Sequence, residues 1–140
     1  MYRGINRPTK PTQEKTVMGV DNSRDILDLL CEILVSAGYS FVGETNPRQT
    51  MSQLAEFRPD LLLVDIEMPE MDGFELCREI RATREYRSLP IAFLTGRNGQ
   101  EDIRSGIAAG GNDYIVKPFA ATMLLRHVNH WAHRTVGVKN

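Results

Sequence analysis

The chain has 140 residues, enough for one domain with a real hydrophobic core. Its 17 Lys and Arg against 18 Asp and Glu leave a net charge of −1, which argues against wholesale binding to nucleic acid or a membrane surface. No apolar run is long enough to span a bilayer and the opening MYRGINRPTK lacks the apolar stretch of a signal peptide, so the expected location is the cytoplasm.

Residues 1–15 hold two prolines, little apolar content and a local positive excess, which predicts a flexible N-terminal tail. The first strand is Val17-Met18-Gly19-Val20, and it ends in Asp21-Asn22. Gly19 is unusual there, since a β-branched residue packs better inside a strand. Residues 23–37 place Ile26, Leu29, Leu30, Ile33 and Leu34 at helical spacing, and Gly38 closes that helix. Phe41-Val42 lies in a short second strand. Asn46-Pro47 starts the next helix, with Met51, Leu54 and Ala55 on one apolar face and Arg58-Pro59 as its stop.

The run Leu61-Leu62-Leu63-Val64 reads as a strand buried on both faces, and Asp65 follows it directly. Pro69 and Gly73 force a turn into a helix from 73 to about 83 that points Phe74, Cys77 and Ile80 one way. A polar connection over 84–90 leads to Ile91-Ala92-Phe93-Leu94, which ends in Thr95-Gly96. Residues 100–109 form a helix carrying Ile103 and Ile107, closed by Gly110-Gly111. Tyr114-Ile115-Val116 is the last strand and ends in Lys117-Pro118-Phe119. A final helix from about 120 to 133 turns Met123, Leu124, Val128 and Trp131 inward.

Five strands alternating with five helices predict an α/β fold: a doubly wound, flavodoxin-like parallel sheet in the order 2-1-3-4-5. Four of the strands then deliver an acid, an acid, a hydroxyl and an ammonium to one edge, the edge where such sheets bind ligands. Cys31 and Cys77 fall within helical patterns and are expected to be reduced thiols. Neither a GxGxxG nor a GxxxxGK[ST] sequence occurs, so no dinucleotide or nucleoside triphosphate site is indicated. His127, His130 and His133 are spaced by three, and steps of three drift around a helix, so a solvated face is favoured over a metal site.

In the order Asp21, Asp65 within LLLVDIEMPEMDG, Thr95-Gly96 within PIAFLTG, and Lys117-Pro118 within AAGGNDYIVKPF, the chain resembles the receiver domain of two-component response regulators. The resemblance covers residues 16–133 and is closest in kind to a chemotaxis-type stand-alone receiver. It divides the chain into a tail over 1–15, a receiver domain over 16–135 and a C-terminal tail over 136–140. It implies a signalling module rather than an enzyme. Asp65 would accept a phosphoryl group from a histidine kinase or histidine phosphotransfer protein with the help of Mg2+. Asp65, Asp21 and the backbone carbonyl of Glu67 would hold the metal, with Asn22 a weak ligand where the family usually has a second acid. Lys117 would pair with the acyl phosphate, Gly96 would leave room beside it, and Pro118 resembles a cis proline that aims the lysine. Thr95 and Tyr114 would form the switch, read out on the face of the fourth helix, fifth strand and fifth helix by an unknown protein target. No direct nucleic-acid or membrane partner is implied, and a monomer or weak dimer is expected.

Two alternatives stand beside this. Asn22 and Gly19 keep open a receiver that works without phosphorylation. An aspartyl-phosphate phosphatase of the haloacid-dehalogenase type needs an aspartate two residues after its nucleophile, where this chain has Glu67. Glu67 and Arg97, of opposite charge and two residues beyond Asp65 and Thr95, are expected to flank the site's mouth and slow hydrolysis of the phosphorylated state.

Overall fold

Each apolar run becomes a strand: β1 Thr16–Val20, β2 Ser40–Glu44, β3 Leu61–Asp65, β4 Ile91–Thr95 and β5 Asp113–Val116. In the computed structural model, which describes residues 4–8, 15–96 and 100–134, they pair in parallel in the order β2-β1-β3-β4-β5. The helices are α1 Arg24–Ser36, α2 Thr50–Phe57, α3 Gly73–Arg81, α4 Gln100–Ala109 and α5 Ala121–Ala132. The flavodoxin-like arrangement is therefore the observed one.

A parallel sheet needs helices on both faces, because each crossover carries the chain over one face before the next strand. The core accordingly splits in two. Val17, Leu61, Leu63, Leu94 and Ile115 join Leu27, Leu30, Leu34, Leu124 and Val128 under α1 and α5. Met18, Val42, Leu62, Val64 and Phe93 join Leu54, Leu76, Cys77, Ile80 and Ala109 under α2, α3 and α4. The three leucines of β3 are essentially unexposed, each stabilising the fold by roughly 1.5–3 kcal/mol before entropy is counted.

Local chemistry sets the helix starts. Ser23 Oγ accepts from Ile26 N at 3.3 Å and caps α1. Asp72 and Glu75 form a reciprocal capping box at the start of α3, with bonds of 2.8 and 3.0 Å. At Asn46-Pro47 the chain first makes a 3-10 turn, Pro47–Gln49, and only then enters α2. Gly19 has a packing reason: a Cβ there would stand 3.1 Å from the ring of Phe41 and 3.3 Å from Leu30.

Several apolar side chains lie outside the core. Met123, expected inward, is 45% exposed, Leu29 and Ala55 of the expected apolar helical stripes are exposed, and Ile107 is 67% exposed. The inward stripes run instead through Leu27, Leu30 and Leu34 on α1, Thr50 and Leu54 on α2, Gly106 and Ala109 on α4, and Leu124, Val128 and Ala132 on α5. Trp131 is half-buried. An apolar residue one position off such a stripe is turned about 100° away from it, which periodicity over a short helix resolves poorly.

The N-terminal segment also departs from expectation. Within the tail expected over 1–15, Asn6 forms an antiparallel bridge with Phe41 of β2, Ile5 packs on the α2-side core, and Pro8 is buried. The edge strand β2 offers backbone groups, and an apolar neighbour anchors the segment there.

Candidate functional site

The carboxyl ends of the strands meet as the topology requires. Val20 pairs with Val64, so Asp21 and Asp65 leave adjacent strands at the same level. Asp65 pairs with Leu94, which puts Thr95 one residue beyond it on β4. Thr95 pairs with Val116, and Lys117 follows with its N–H donated to Thr95 O at 2.7 Å. Asp21, Asp65 and Thr95 are all buried.

Lys117 ties the group together. Its Nζ lies 3.0 Å from Asp21 Oδ2 and 3.2 Å from Asp65 Oδ1. The bond to Pro118 is cis. Asp21 Oδ1 accepts from Ser23 N at 2.9 Å, and Asp65 Oδ1 also accepts from Glu67 N at 3.3 Å. Gly73 allows α3 to start against the end of β3, because a Cβ there would stand 2.5 Å from Asp65 O. Gly96 is exposed, with open space where a side chain would stand.

Burial pushes the Asp65 carboxyl above the usual carboxylate range, and the Asp21 charge adds to this, while Lys117 and the Glu67 N–H oppose it. For Lys117, burial alone lowers the pKa, but its hydrogen bond and attraction to Asp21, then those to Asp65, outweigh it and leave the ammonium above its ordinary value. The site is thus an anionic pair with one cation, in a place where ionising Asp65 is costly.

The donor chemistry suits a hard divalent ion. Two carboxylates meet at one strand edge, and a carbonyl at Glu67 follows two residues on. Among the described residues no three His, Cys, Asp or Glu side chains gather into a metal cluster. Mg2+ sites commonly use one or two carboxylates completed by water and phosphate oxygens, and the two buried carboxylates of this edge are donors of that kind. Asn22, next to Asp21, and Glu67, two residues after Asp65, are both exposed. Arg97 lies outside the described residues.

Tyr114 sits two residues before Val116 on β5, paired with Phe93 and in edge contact with it at 5.6 Å between ring centroids. Its hydroxyl is buried. The seat exists because residue 106 is glycine: a Cβ there would stand 2.7 Å from the Tyr114 ring and hydroxyl and 3.0 Å from Phe93. Sequence reading passed over Gly106, although a glycine inside a helical run is itself a signal of close packing. Arg81 was also passed over. It clamps the α4–β5 connection to α3 through Gly110 O and Asn112 Oδ1, both at 2.9 Å, and also bonds Tyr86 O in the turn after α3 at 2.7 Å.

The three histidines take different partners. His127 Nδ1 lies 2.6 Å from Asp113 Oδ2, which also accepts from Trp131 Nε1 at 2.8 Å. His133 Nε2 lies 3.1 Å from the Tyr39 hydroxyl, which donates to Asn129. His130 packs edge-on against Trp131. Cys31 and Cys77 are free thiols, and burial raises the pKa of both.

Residues 17–129 match the family model described as "Response regulator receiver domain". The response regulator MprA of Mycobacterium leprae is 35% identical over 119 residues, which is 85% of this chain and 51% of that protein. The chain thus spans about half the length of the curated relatives it matches. The Vibrio cholerae chemotaxis protein CheY4 superposes with a TM-score of 0.82 at 29% identity, over 85% of this chain and 99% of its own. The receiver domain of the sensor histidine kinase PA1611 from Pseudomonas aeruginosa, solved with magnesium in its active site cleft, superposes at 0.79 with 30% identity, over 87% of this chain and 100% of its own.

Proposed function

The chain belongs to the response regulator receiver family, and on that premise we propose that Asp65 accepts a phosphoryl group from the phosphohistidine of a histidine kinase or histidine phosphotransfer protein. The observation that carries this reading is the Lys117 ammonium held between Asp21 and Asp65 at 3.0 and 3.2 Å. An Asp65 carboxylate oxygen attacks phosphorus while the P–N bond breaks, and the imidazole leaves with that electron pair. Lys117 then turns from the carboxylates to the new phosphoryl oxygens, whose charge it offsets. Asp65, Asp21 and the Glu67 carbonyl would hold Mg2+, with Asn22 as a weaker neutral donor, and the ion when bound supplies further positive charge.

Thr95, one residue past Asp65 on the next strand, donates its hydroxyl to a phosphoryl oxygen in this reading, which its position beside Asp65 supports. Tyr114 is the second switch residue in this reading, supported by its packing against Phe93 under α4. The readout is the face of α4, β5 and α5, where Ile103, Ile107, Val116 and Met123 are exposed. The chain acts as a cytoplasmic receiver module on a protein target, without direct nucleic-acid contact, as a monomer or weak dimer, and relays one phosphoryl group rather than turning over a substrate. Among the described residues no helix is long and apolar enough to cross a membrane.

The test is incubation with a small acyl-phosphate donor and Mg2+, followed by intact mass and mapping of the modified residue. One phosphoryl group on Asp65 is expected. An equal adduct on Asp65→Asn would overturn the assignment. A second reading rests on Asn22, a neutral amide where the family usually carries an acid: a receiver that binds its partner without phosphate. No adduct from any donor, with partner binding retained, selects that reading.

A further inference from the structure

β2 is the outermost strand on its side of the sheet. Its Ser40 N–H donates to Lys15 O and its Glu44 O accepts from Asp21 N, both on the β1 side. Backbone groups alternate sides along a strand, so Phe41 and Gly43 turn theirs outward. At Phe41 the chain covers its own edge. Asn6 N donates to Phe41 O and Phe41 N donates to Asn6 O, both at 2.8 Å, as in a hydrogen-bonded antiparallel pair. Asn6 Nδ2 adds a second donor to Phe41 O at 3.1 Å. Ile5 packs on the core that contains Met18, Val42 and Leu54, and Pro8 is buried.

An uncovered edge of this kind is a template for a strand of another chain. The edge of β2 is also self-complementary. In an antiparallel pairing of two copies centred on Val42, Phe41 of each faces Gly43 of the other, so the outward groups match by two-fold symmetry. Ser40 then stands opposite Glu44, and no like charges oppose each other. We infer that residues 4–8 are a built-in plug on a strand-docking edge, and that displacing them lets β2 pair with β2 of a second copy of this chain. The plug is separate from the phosphoryl site: Asn6 meets the second residue of β2, whereas Asp21 and Asp65 lie at the far ends of their strands.

The test compares the full-length chain with its Ile5→Asp/Asn6→Pro variant, which removes the apolar anchor and both Asn6 donors. In dilute solution the Phe41 amide should exchange its proton roughly tenfold faster in the variant. With rising concentration the variant's mass by light scattering should climb to that of a dimer, and a synthetic peptide of residues 1–12 should return it to the monomer. Parent-like exchange would show that residues 4–8 do not hold the edge. An unchanged mass at every concentration, or a dimer indifferent to the peptide, would show that β2 is not the docking edge. Circular dichroism on the same samples separates loss of fold from loss of the plug, and the peptide arm still reads the edge if the variant is less stable.

Discussion

Lys117 leaves β5 yet reaches Asp65 at the end of β3, 3.2 Å from its Oδ1, with the whole of β4 between the two strands. Among the titrating chains of this edge, a lysine has the reach for that crossing. The same ammonium meets Asp21 on β1, so one side chain binds the ends of two further strands. The proposed phosphoryl site is therefore also a structural tie.

Asp65→Asn removes the proposed nucleophile and should abolish phosphate uptake. It should also raise stability at neutral pH, because desolvation and Asp21 disfavour the ionised carboxylate in the folded state. The folded pKa is raised, so this cost is present above it and fades as pH falls through it toward the unfolded value. The mutant's advantage in denaturant midpoint should shrink over the same window. A mutant less stable than the parent at neutral pH would contradict this electrostatic account.

Lys117→Ala leaves two buried carboxylates facing each other and should cost ~1–3 kcal/mol at neutral pH. The Lys117 pKa is raised, so its stabilisation is complete below the ordinary lysine value and is lost as pH climbs through the folded one. The parent should weaken in that alkaline window and the mutant should not. Millimolar Mg2+ should restore part of the mutant's stability, measured by urea titration, since a divalent cation can take over the missing charge. If Mg2+ stabilises neither protein, the two acids do not share an ion.

Asn22→Asp should tighten Mg2+ binding by adding an anionic hard donor beside Asp21. Trp131 is a poor reporter for this, because its indole bonds to Asp113 at the start of β5, the end away from the site. Isothermal calorimetry is the suitable measurement. Equal affinities in the two proteins would mean that residue 22 does not face the ion.

Gly106→Ala should destabilise the fold. A methyl at that position meets Tyr114 and Phe93, at 2.7 and 3.0 Å. Overpacking of this kind costs ~1–3 kcal/mol, more than the roughly 1 kcal/mol that alanine gains over glycine in a helix. Combining it with Tyr114→Ala should be clearly less than additive, because the second change removes the ring that the methyl strikes. Strict additivity in urea midpoints would place Tyr114 elsewhere than beneath α4.

The five strands, their order and the convergence of Asp21, Asp65, Thr95 and Lys117 were legible in the sequence. Short apolar runs that each end in a turn former leave little freedom once a right-handed parallel crossover is required. Even the glycine in β1 was flagged, though its reason, room for the Phe41 ring, is a contact across two strands and a helix. What tertiary structure alone decided is side-chain direction and long-range partnership. A helical face one residue off its stripe looks the same in sequence, so Met123 is expected inward although it stands exposed, and Gly106 draws no expectation at all. The seat of Tyr114, the Arg81 clamp and the return of Asn6 to Phe41 join residues far apart along the chain. Local patterning fixes which elements form and which of their ends carry polar groups. Which distant groups meet depends on how the packed elements are turned, and no local pattern records that.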